Sequence, residues 1–231
     1  MSRPPGVSPL PDLRHERALT RRGCVHVVGL DEVGRGAWAG PVVAAAVGLP
    51  LESRHLRRQL SGVRDSKQMS PHERQAWEPR IRQAAWGCTI GEASVEEIDA
   101  LGILVATRLA MLRATSMVVP SPDGLLIDYL SLPDFDQPQL ALKFGDQRSL
   151  SIAAASVVAK VHRDRLMVEL DRAHPGYSLG DNKGYGTAAH RAGLDRQGPS
   201  AIHRRTFAPI ARLLEAKEPS TCSVAAAPGG R

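Results

Sequence analysis

The 231-residue sequence predicts an α/β domain, and two observations support that prediction. Apolar runs of strand length alternate along the chain with longer segments that begin with helix-capping residues. Three of the apolar runs end in acidic residues, at Asp31 with Glu32, at Asp128 and at Asp146. Because ligands bind at strand ends in open α/β sheets, these acids also indicate where a functional site is expected.

Composition and charge restrict the classes of protein to which this chain can belong. A hydrophobic fraction of 42% is sufficient for one medium-sized domain with an appended lobe. The net charge of +6 favours a polyanionic partner. The sequence contains no apolar run of membrane-spanning length and no signal-peptide core, so we expect a cytoplasmic protein that does not bind membranes. Three widely spaced cysteines, at positions 24, 88 and 222, argue against a disulfide framework or a zinc site.

The amino-terminal half predicts a strand pair followed by alternating helices and strands. Residues 1–23 are rich in proline and arginine and are expected to form a disordered basic leader. The strand pair lies within residues 24–49, on either side of a glycine-rich turn. Ser70, with proline after it and Glu73 three positions on, predicts the start of a helix. The elements that follow are a helix to about residue 85, a strand over residues 86–93, and a helix over residues 94–117 that Gly102 weakens.

The second half predicts two short strands, one long helix and a basic lobe. The strands lie at residues 125–128 and 140–144, and an alanine-rich helix follows over residues 151–173. The expected organisation is a leader over residues 1–23, a catalytic domain over residues 24–176, a helical nucleic-acid-binding lobe over residues 177–217, with helices near 188–196 and 208–216, and a disordered tail over residues 218–231.

The strand-terminal acids predict a divalent-metal site. Several carboxylates that converge without a cation repel one another, whereas Mg²⁺ and Mn²⁺ prefer such hard oxygen ligands. Neighbouring residues of a regular strand point to opposite faces, so Asp31 and Glu32 share a face only if the strand frays or bulges there. For any single acid, the alternative is a turn former, a helix cap or a solvated turn.

Other chemistries fit the sequence less well. Gly34, Gly36 and Gly40 follow a strand, but no helix comes next and the acids would repel a pyrophosphate. The eight histidines show no paired metal-ligand spacing. Ser156 and Cys88 have no base nearby in sequence, and packing explains both.

Several motifs in a fixed order closely resemble the bacterial ribonuclease HII family. They are GLDEVGRG, DSK, LLID, GDQRSLSIAAASVVAKVHRD, NKGYGTAAH and HRRTFAPI, which together cover about residues 29–212. The resemblance implies a ribonuclease H-like mixed sheet flanked by helices, with a small C-terminal helical lobe. It also implies endonucleolytic cleavage of the RNA strand of RNA–DNA hybrids and of duplex DNA with embedded ribonucleotides, leaving 3′-hydroxyl and 5′-phosphate ends.

The resemblance assigns roles to particular residues. Its four metal-binding acids correspond to Asp31, Glu32, Asp128 and Asp146, with Mn²⁺ or Mg²⁺ as cofactor and two-metal hydrolysis as mechanism. The predicted substrate-binding residues are Gly34, Arg35, Gly36, Lys67, Lys183, Tyr185, Arg204 and Arg205. The last two belong to a basic segment, residues 183–212, that is interpreted as a phosphate track or, alternatively, as a solvated surface. We expect a monomer.

Two positions depart from the family pattern. Tyr129 stands where the family usually has glycine after the third acid, and Phe144 stands where it commonly has lysine. Asp164 matches a family motif, but pairing with Lys160 one turn earlier is the preferred interpretation. Two rival functions remain: another metal-dependent nuclease or strand-transfer enzyme of the same superfold, and a non-catalytic binder of RNA–DNA hybrids.

Overall fold

A five-stranded mixed sheet forms the centre of the computed structural model, which describes residues 10–216. The strands are β1 (Val27–Val33), β2 (Val42–Gly48), β3 (Gly87–Ala93), β4 (Gly124–Asp128) and β5 (Gln139–Leu142). Their order in the sheet is β3-β2-β1-β4-β5. β2 pairs antiparallel with both β1 and β3, and β4 pairs parallel with both β1 and β5. The predicted α/β class with a mixed sheet is confirmed.

The helices flank this sheet and form a lobe after it. They are α1 (Arg14–Thr20), α2 (Leu56–Gln59), α3 (Pro71–Ala84), α4 (Val95–Leu101), α5 (Ile103–Ser116), α6 (Leu150–Ala173), α7 (Leu179–Asn182), α8 (Ala188–Gln197) and α9 (Ala208–Glu215). In the part of the chain from 10 to 216, no helix is both long and apolar enough to cross a membrane.

Both faces of the sheet are covered, which explains why β2 is a continuous run of small apolar residues. The alanine-rich start of α6 packs with α3 on one face, and α5 packs on the other. Gly29 of β1 allows α6 to approach closely, because a Cβ there would overlap the main chain of Ser151 and Ile152. The long helix is thereby held against the strand that carries the first two acids.

Local sequence signals set the helix boundaries. Ser70 and Glu73 form the predicted capping box at the start of α3, and Ser94 and Glu97 form a second one at α4. The prediction of one helix over residues 94–117 is wrong in one respect. Gly102 has a φ of 78° and separates the segment into two helices, α4 and α5. A left-handed glycine is a common helix C-terminus.

The predicted disordered leader is wrong for the part that the structure describes. Helix α1 lies within it, and Leu19 is buried in a small cluster with strand residues. Glu16 is also fully buried, and its Oε1 accepts hydrogen bonds from the side chains of Ser149 and Ser151. These partners lie more than 130 positions away in sequence, so local composition could not reveal them. Residues 1–9 lie outside the described part.

The C-terminal lobe shares a hydrophobic cluster with the residues that precede it in the chain. Tyr177, Leu194 and Ile210 of the lobe pack with Ala39 and Met167. The two predicted lobe helices are confirmed as α8 and α9, and the short α7 was not predicted. The predicted disordered tail, residues 218–231, lies outside the described residues.

Candidate metal centre and nucleic-acid interface

The first acids lie where two parallel strands stop pairing. The β1–β4 ladder ends at the pair Leu30 and Ile127, and the next residues along the two strands are Asp31 and Asp128. On its other side, β1 stays paired with β2 as far as Val33, without a bulge. Side-chain alternation therefore places Asp31 and Glu32 on opposite faces of the strand, as expected for a regular strand.

A short turn brings the fourth acid to the third. The strand predicted over residues 140–144 ends at Leu142, and Asp146 lies in a single 3₁₀ turn, Gly145–Gln147. The main-chain N–H of Gly145 donates to Oδ1 of Asp128 at 2.6 Å. This hydrogen bond attaches the turn to the end of β4, and both Asp31 and Asp146 are buried.

The electrostatics show that the four acids interact. Burial raises the pKa of Asp31 well above its ordinary value, and the charges of Glu32, Asp128 and Asp146 raise it further. Burial also raises the pKa of Glu32 and Asp128, and together with the charges of Asp65 and Asp128 it raises the pKa of Asp146 to about 7. The cluster therefore holds more negative charge than its surroundings neutralise.

One cation and one further acid belong to this cluster. Burial alone would lower the pKa of Lys67, but the charges of Asp31, Asp146 and Asp65 raise it. Sequence reasoning quoted Asp65 within a motif but assigned it no role. It is buried, and its Oδ2 accepts a hydrogen bond from the side chain of Gln147 at 3.2 Å. Its only sequence signal was its place in the Asp-Ser-Lys triplet.

The donor set fits a divalent cation. Oε2 of Glu32 is buried without a hydrogen-bond partner, an arrangement that is costly unless something cationic approaches it. The other acids use their oxygens internally: Oδ1 of Asp31 accepts from the main-chain N–H of Glu32 at 2.8 Å. Accordingly, within residues 10–216, no three acidic, histidine or cysteine side chains stand ready around a common point. The acids are therefore grouped at one end of the sheet but are not arranged as a ready-made ion site.

Two buried arginines hold the turn that follows the acids. Arg163 donates to the carbonyl oxygens of Pro41 at 3.0 Å and Lys183 at 2.9 Å. Gly34 takes a φ of 94°, and a Cβ there would overlap the Arg163 guanidinium, so glycine is required by both backbone and space. Arg204 donates to the carbonyl oxygen of Arg35 at 2.9 Å.

The burial of Arg204 corrects a prediction. Arg204 was predicted to contact phosphate, but it is fully buried, and burial lowers its pKa to about 9. Its neighbour Arg205 is exposed, and only its main-chain N–H is engaged, by Asp99 at 2.8 Å. A count of basic residues cannot separate an arginine that binds carbonyls inside the fold from one that faces solvent.

The structure brings the predicted sugar-binding residues together. A Cβ on Gly36 would lie 3.9 Å from Cε1 of Tyr185, so this ring faces the Gly34–Gly36 turn. Tyr185 is half-buried, with 39% of its surface exposed. Its main-chain oxygen lies 3.1 Å from Nδ1 of His190.

Two further residues differ in their setting. Arg35 lies 3.3 Å from Oε1 of Glu32 and is thus part of the acid centre. Lys183 has a left-handed backbone, and its ammonium contacts the carbonyl oxygen of Gly180 within the lobe. It also lines a cavity of about 460 Å³ with Lys160 and Asp164. The predicted pairing of those two residues is confirmed at 2.6 Å.

Comparison with known proteins gives one consistent result. A family model described as ribonuclease HII matches residues 28–210. The ribonuclease HII of a Synechococcus species is 53% identical over 209 residues, covering 90% of this chain and 92% of that protein. The ribonuclease HII of Chloroflexus aurantiacus is 49% identical over 211 residues, covering 91% of this chain and all of that protein.

Solved structures with the same fold are more distant in sequence. Ribonuclease H2 from Pyrococcus horikoshii superposes with a TM-score of 0.68 at 22% identity, covering 83% of this chain and 98% of that one. A Bst ribonuclease HIII solved in complex with Mn²⁺ superposes with a TM-score of 0.64 at 21% identity, covering 84% of this chain and 70% of that one. At these identities, the likeness establishes the ribonuclease H-like fold.

Proposed function

The chain belongs to the ribonuclease HII family, and from that premise we propose that Asp31, Glu32, Asp128 and Asp146 bind the divalent cations of its reaction. As a member of this family it is a metal-dependent ribonuclease, acting on RNA in RNA–DNA hybrids and on ribonucleotides in DNA. The observation that carries the site proposal is a group of four acids near enough for their charges to raise one another's pKa, together with a buried Glu32 oxygen that has no hydrogen-bond partner.

The acids act in this proposal as ligands for Mn²⁺ or Mg²⁺. When bound, two such ions would supply a water molecule of lowered pKa and neutralise charge on the leaving 3′-oxygen. Asp31 and Glu32 are held by the β1–β2 ladder, whereas Asp128 and Asp146 are held by β4 and the turn after β5.

Neighbouring basic groups position the phosphate. Lys67 lies in the field of the acids, and Arg35 lies beside Glu32, so both compensate the cluster before substrate enters. Both side chains could also donate charge-assisted hydrogen bonds to phosphate oxygens. Lys183 and the exposed Arg205 extend this positive surface into the C-terminal lobe.

The Gly34–Gly36 turn, which faces Tyr185, is the proposed site of ribose recognition. A protein distinguishes RNA from DNA through the 2′-hydroxyl, which donates and accepts hydrogen bonds. The main chain at Gly36 has no Cβ to keep a sugar away, and the Tyr185 ring faces it. We therefore assign the 2′-hydroxyl contact to this turn and the next sugar to the tyrosine ring.

A nicking assay tests the proposed function. A labelled DNA duplex with one ribonucleotide is incubated with the protein and Mg²⁺, Mn²⁺ or EDTA, and an all-DNA duplex serves as substrate control. We expect one nick 5′ of the ribonucleotide, with 3′-hydroxyl and 5′-phosphate ends, only when metal is present. Equal cleavage of the all-DNA duplex would indicate a different nuclease, and tight binding without cleavage would indicate a hybrid-binding protein.

A further inference from the structure

Exposed aromatic rings are concentrated beside the acid centre. The chain has nine aromatic residues, all within the described part, and three of them are exposed: Tyr129 at 64%, Phe144 at 42% and Tyr185 at 39%. Tyr129 directly follows Asp128 in sequence, and Phe144 stands two residues before Asp146. The other six aromatic rings are at least partly buried, so the exposed aromatic rings of the described chain all lie near the acids or the turn beside them.

Tyr129 and Phe144 occupy unfavourable backbone conformations. Their φ angles are 62° and 57°, in the left-handed region that is unfavourable for residues with bulky side chains. Core packing does not explain this choice of residues, because neither side chain belongs to a buried cluster and both are exposed, Tyr129 the more so. Strain that is maintained without a packing benefit is characteristic of functional positions.

The two rings belong to one end of the sheet. Asp128 and Leu142 are register partners on the parallel strands β4 and β5, and the main-chain N–H of Tyr129 donates to the carbonyl oxygen of Leu142 at 3.0 Å. Phe144 follows Leu142 by two residues. In the sheet order, β4 and β5 lie on one side of β1, whereas the Gly34–Gly36 turn that faces Tyr185 leads to β2 on the other side. The acids therefore lie between Tyr185 and this second pair of rings.

We propose that Tyr129 and Phe144 form an aromatic platform that stacks on nucleotides of the bound substrate, on the side of the acids away from Tyr185. This inference rests on the proposed function, because it takes its ligand from it. Aromatic rings stack on nucleotides with little sequence preference, as suits a nuclease that recognises a ribose rather than a base sequence. The ammonium of Lys143, 5.5 Å from the centre of the Phe144 ring, adds a positive charge for the adjoining phosphate.

Glycine substitutions separate stacking from folding. Tyr129→Gly and Phe144→Gly remove one ring each, and glycine adopts these φ angles without strain. We expect melting temperatures equal to or above that of the wild type, and roughly tenfold weaker affinity for a duplex with one ribonucleotide, measured in EDTA so that no cleavage occurs. Tyr129→Trp should retain the affinity, and Tyr129→Leu should not.

Ser178→Gly is the matched control. Ser178 has a φ of 56° and lies in the C-terminal lobe, so its replacement relieves the same backbone strain without removing a ring. We expect its affinity to equal that of the wild type. Wild-type affinity in both Tyr129→Gly and Phe144→Gly, or an equal loss in Ser178→Gly, would overturn the platform. A wild-type protein that neither binds nor nicks the duplex would overturn the proposed function instead.

Discussion

Nε2 of His203 lies 3.1 Å from Nε2 of His190, and both imidazoles are buried. The main-chain N–H of Ser200 donates to Nδ1 of His203 at 3.0 Å, so His203 carries its proton on Nε2 and donates to His190. His190 then donates from Nδ1 to the carbonyl oxygen of Tyr185. The backbone of Tyr185 is thus held by a chain of neutral histidines.

This relay predicts loss of stability in acid. Burial, followed by the charge of His190, lowers the pKa of His203 from 6.5 to about 4. As pH falls from 6.5 towards 4, His203 becomes protonated in the unfolded chain but stays neutral in the folded protein. The free energy of unfolding therefore decreases in this pH range. Between pH 7 and pH 5, the melting temperature of the wild type should fall by roughly 5 °C more than that of His203→Gln, which cannot titrate.

The acid centre titrates in the opposite direction, but it is common to both proteins in that comparison. The raised pKa of Asp146, about 7, stabilises the folded protein as pH falls, and this contribution cancels in the difference. An equal fall in the two melting temperatures would show that the histidine pair does not contribute to acid sensitivity.

Neutralising the acids should abolish activity without unfolding the protein. We expect Asp31→Asn, Glu32→Gln and Asp128→Asn each to lower the nicking rate at least about 100-fold, because each removes a proposed metal ligand. Without metal, their melting temperatures should hold or rise, since repulsion within the cluster decreases. Glu52→Gln, at an exposed turn position, is the charge-matched control. Turnover of Asp31→Asn near the wild-type value at saturating Mg²⁺ would contradict the metal site.

Metal binding should also be visible in stability. An ion that binds only the folded state contributes about 2.7 kcal/mol at one hundred times its dissociation constant. We therefore expect Mn²⁺, added to the EDTA-treated wild type, to raise the melting temperature by several degrees, and to raise that of Asp31→Asn much less. Identical shifts in the two proteins would place the ion elsewhere.

Arg204 and Arg205 should respond differently to alanine. Arg204→Ala leaves the buried carbonyl oxygens of Gly40 and Arg35 without their donor, so we expect about 2–4 kcal/mol of destabilisation in urea unfolding. Arg205→Ala should leave stability unchanged, because Asp99 binds its main chain. If Arg205 contacts phosphate, its loss weakens binding to all duplexes and lowers the salt slope by roughly one. Unchanged binding at low salt would make Arg205 a solvated surface residue.

Tyr185 should affect cleavage more than binding. Tyr185→Ala removes the ring that faces the Gly36 turn, so nicking at a single ribonucleotide should fall far more than affinity for all-DNA duplex. Tyr185→Phe retains the ring and should keep part of the activity. Equal losses in cleavage and in DNA affinity would restrict Tyr185 to supporting the lobe, where its main chain already contacts His190.

Features with local signals were predictable from the sequence. The capping residues Ser70 and Ser94 determine two helix starts, and both were recognised. The acids could be located because each follows an apolar strand, although the hydrogen bond from Gly145 to Asp128 that joins two of them was not foreseeable. Their convergence depends on sheet order, which strand patterns alone do not specify.

Features that depend on distant partners were missed or misassigned. Arg204 was assigned to the surface because its basic neighbourhood is hydrophilic, yet carbonyl groups from a loop some 165 positions earlier bind it. Asp65 became interpretable only when the acids near it were in place. Burial of a charged residue is decided by tertiary contacts, and composition does not report them.

The contact between Glu16 and α6 has a consequence for the order in which the chain acquires its structure. Ser149 and Ser151 are synthesised 133 and 135 residues after Glu16. At a synthesis rate of about 5–20 residues per second, the serines that bind Glu16 are made on the order of ten seconds after α1. Helix α1 therefore reaches its final position only after strands β1 to β5 have been made.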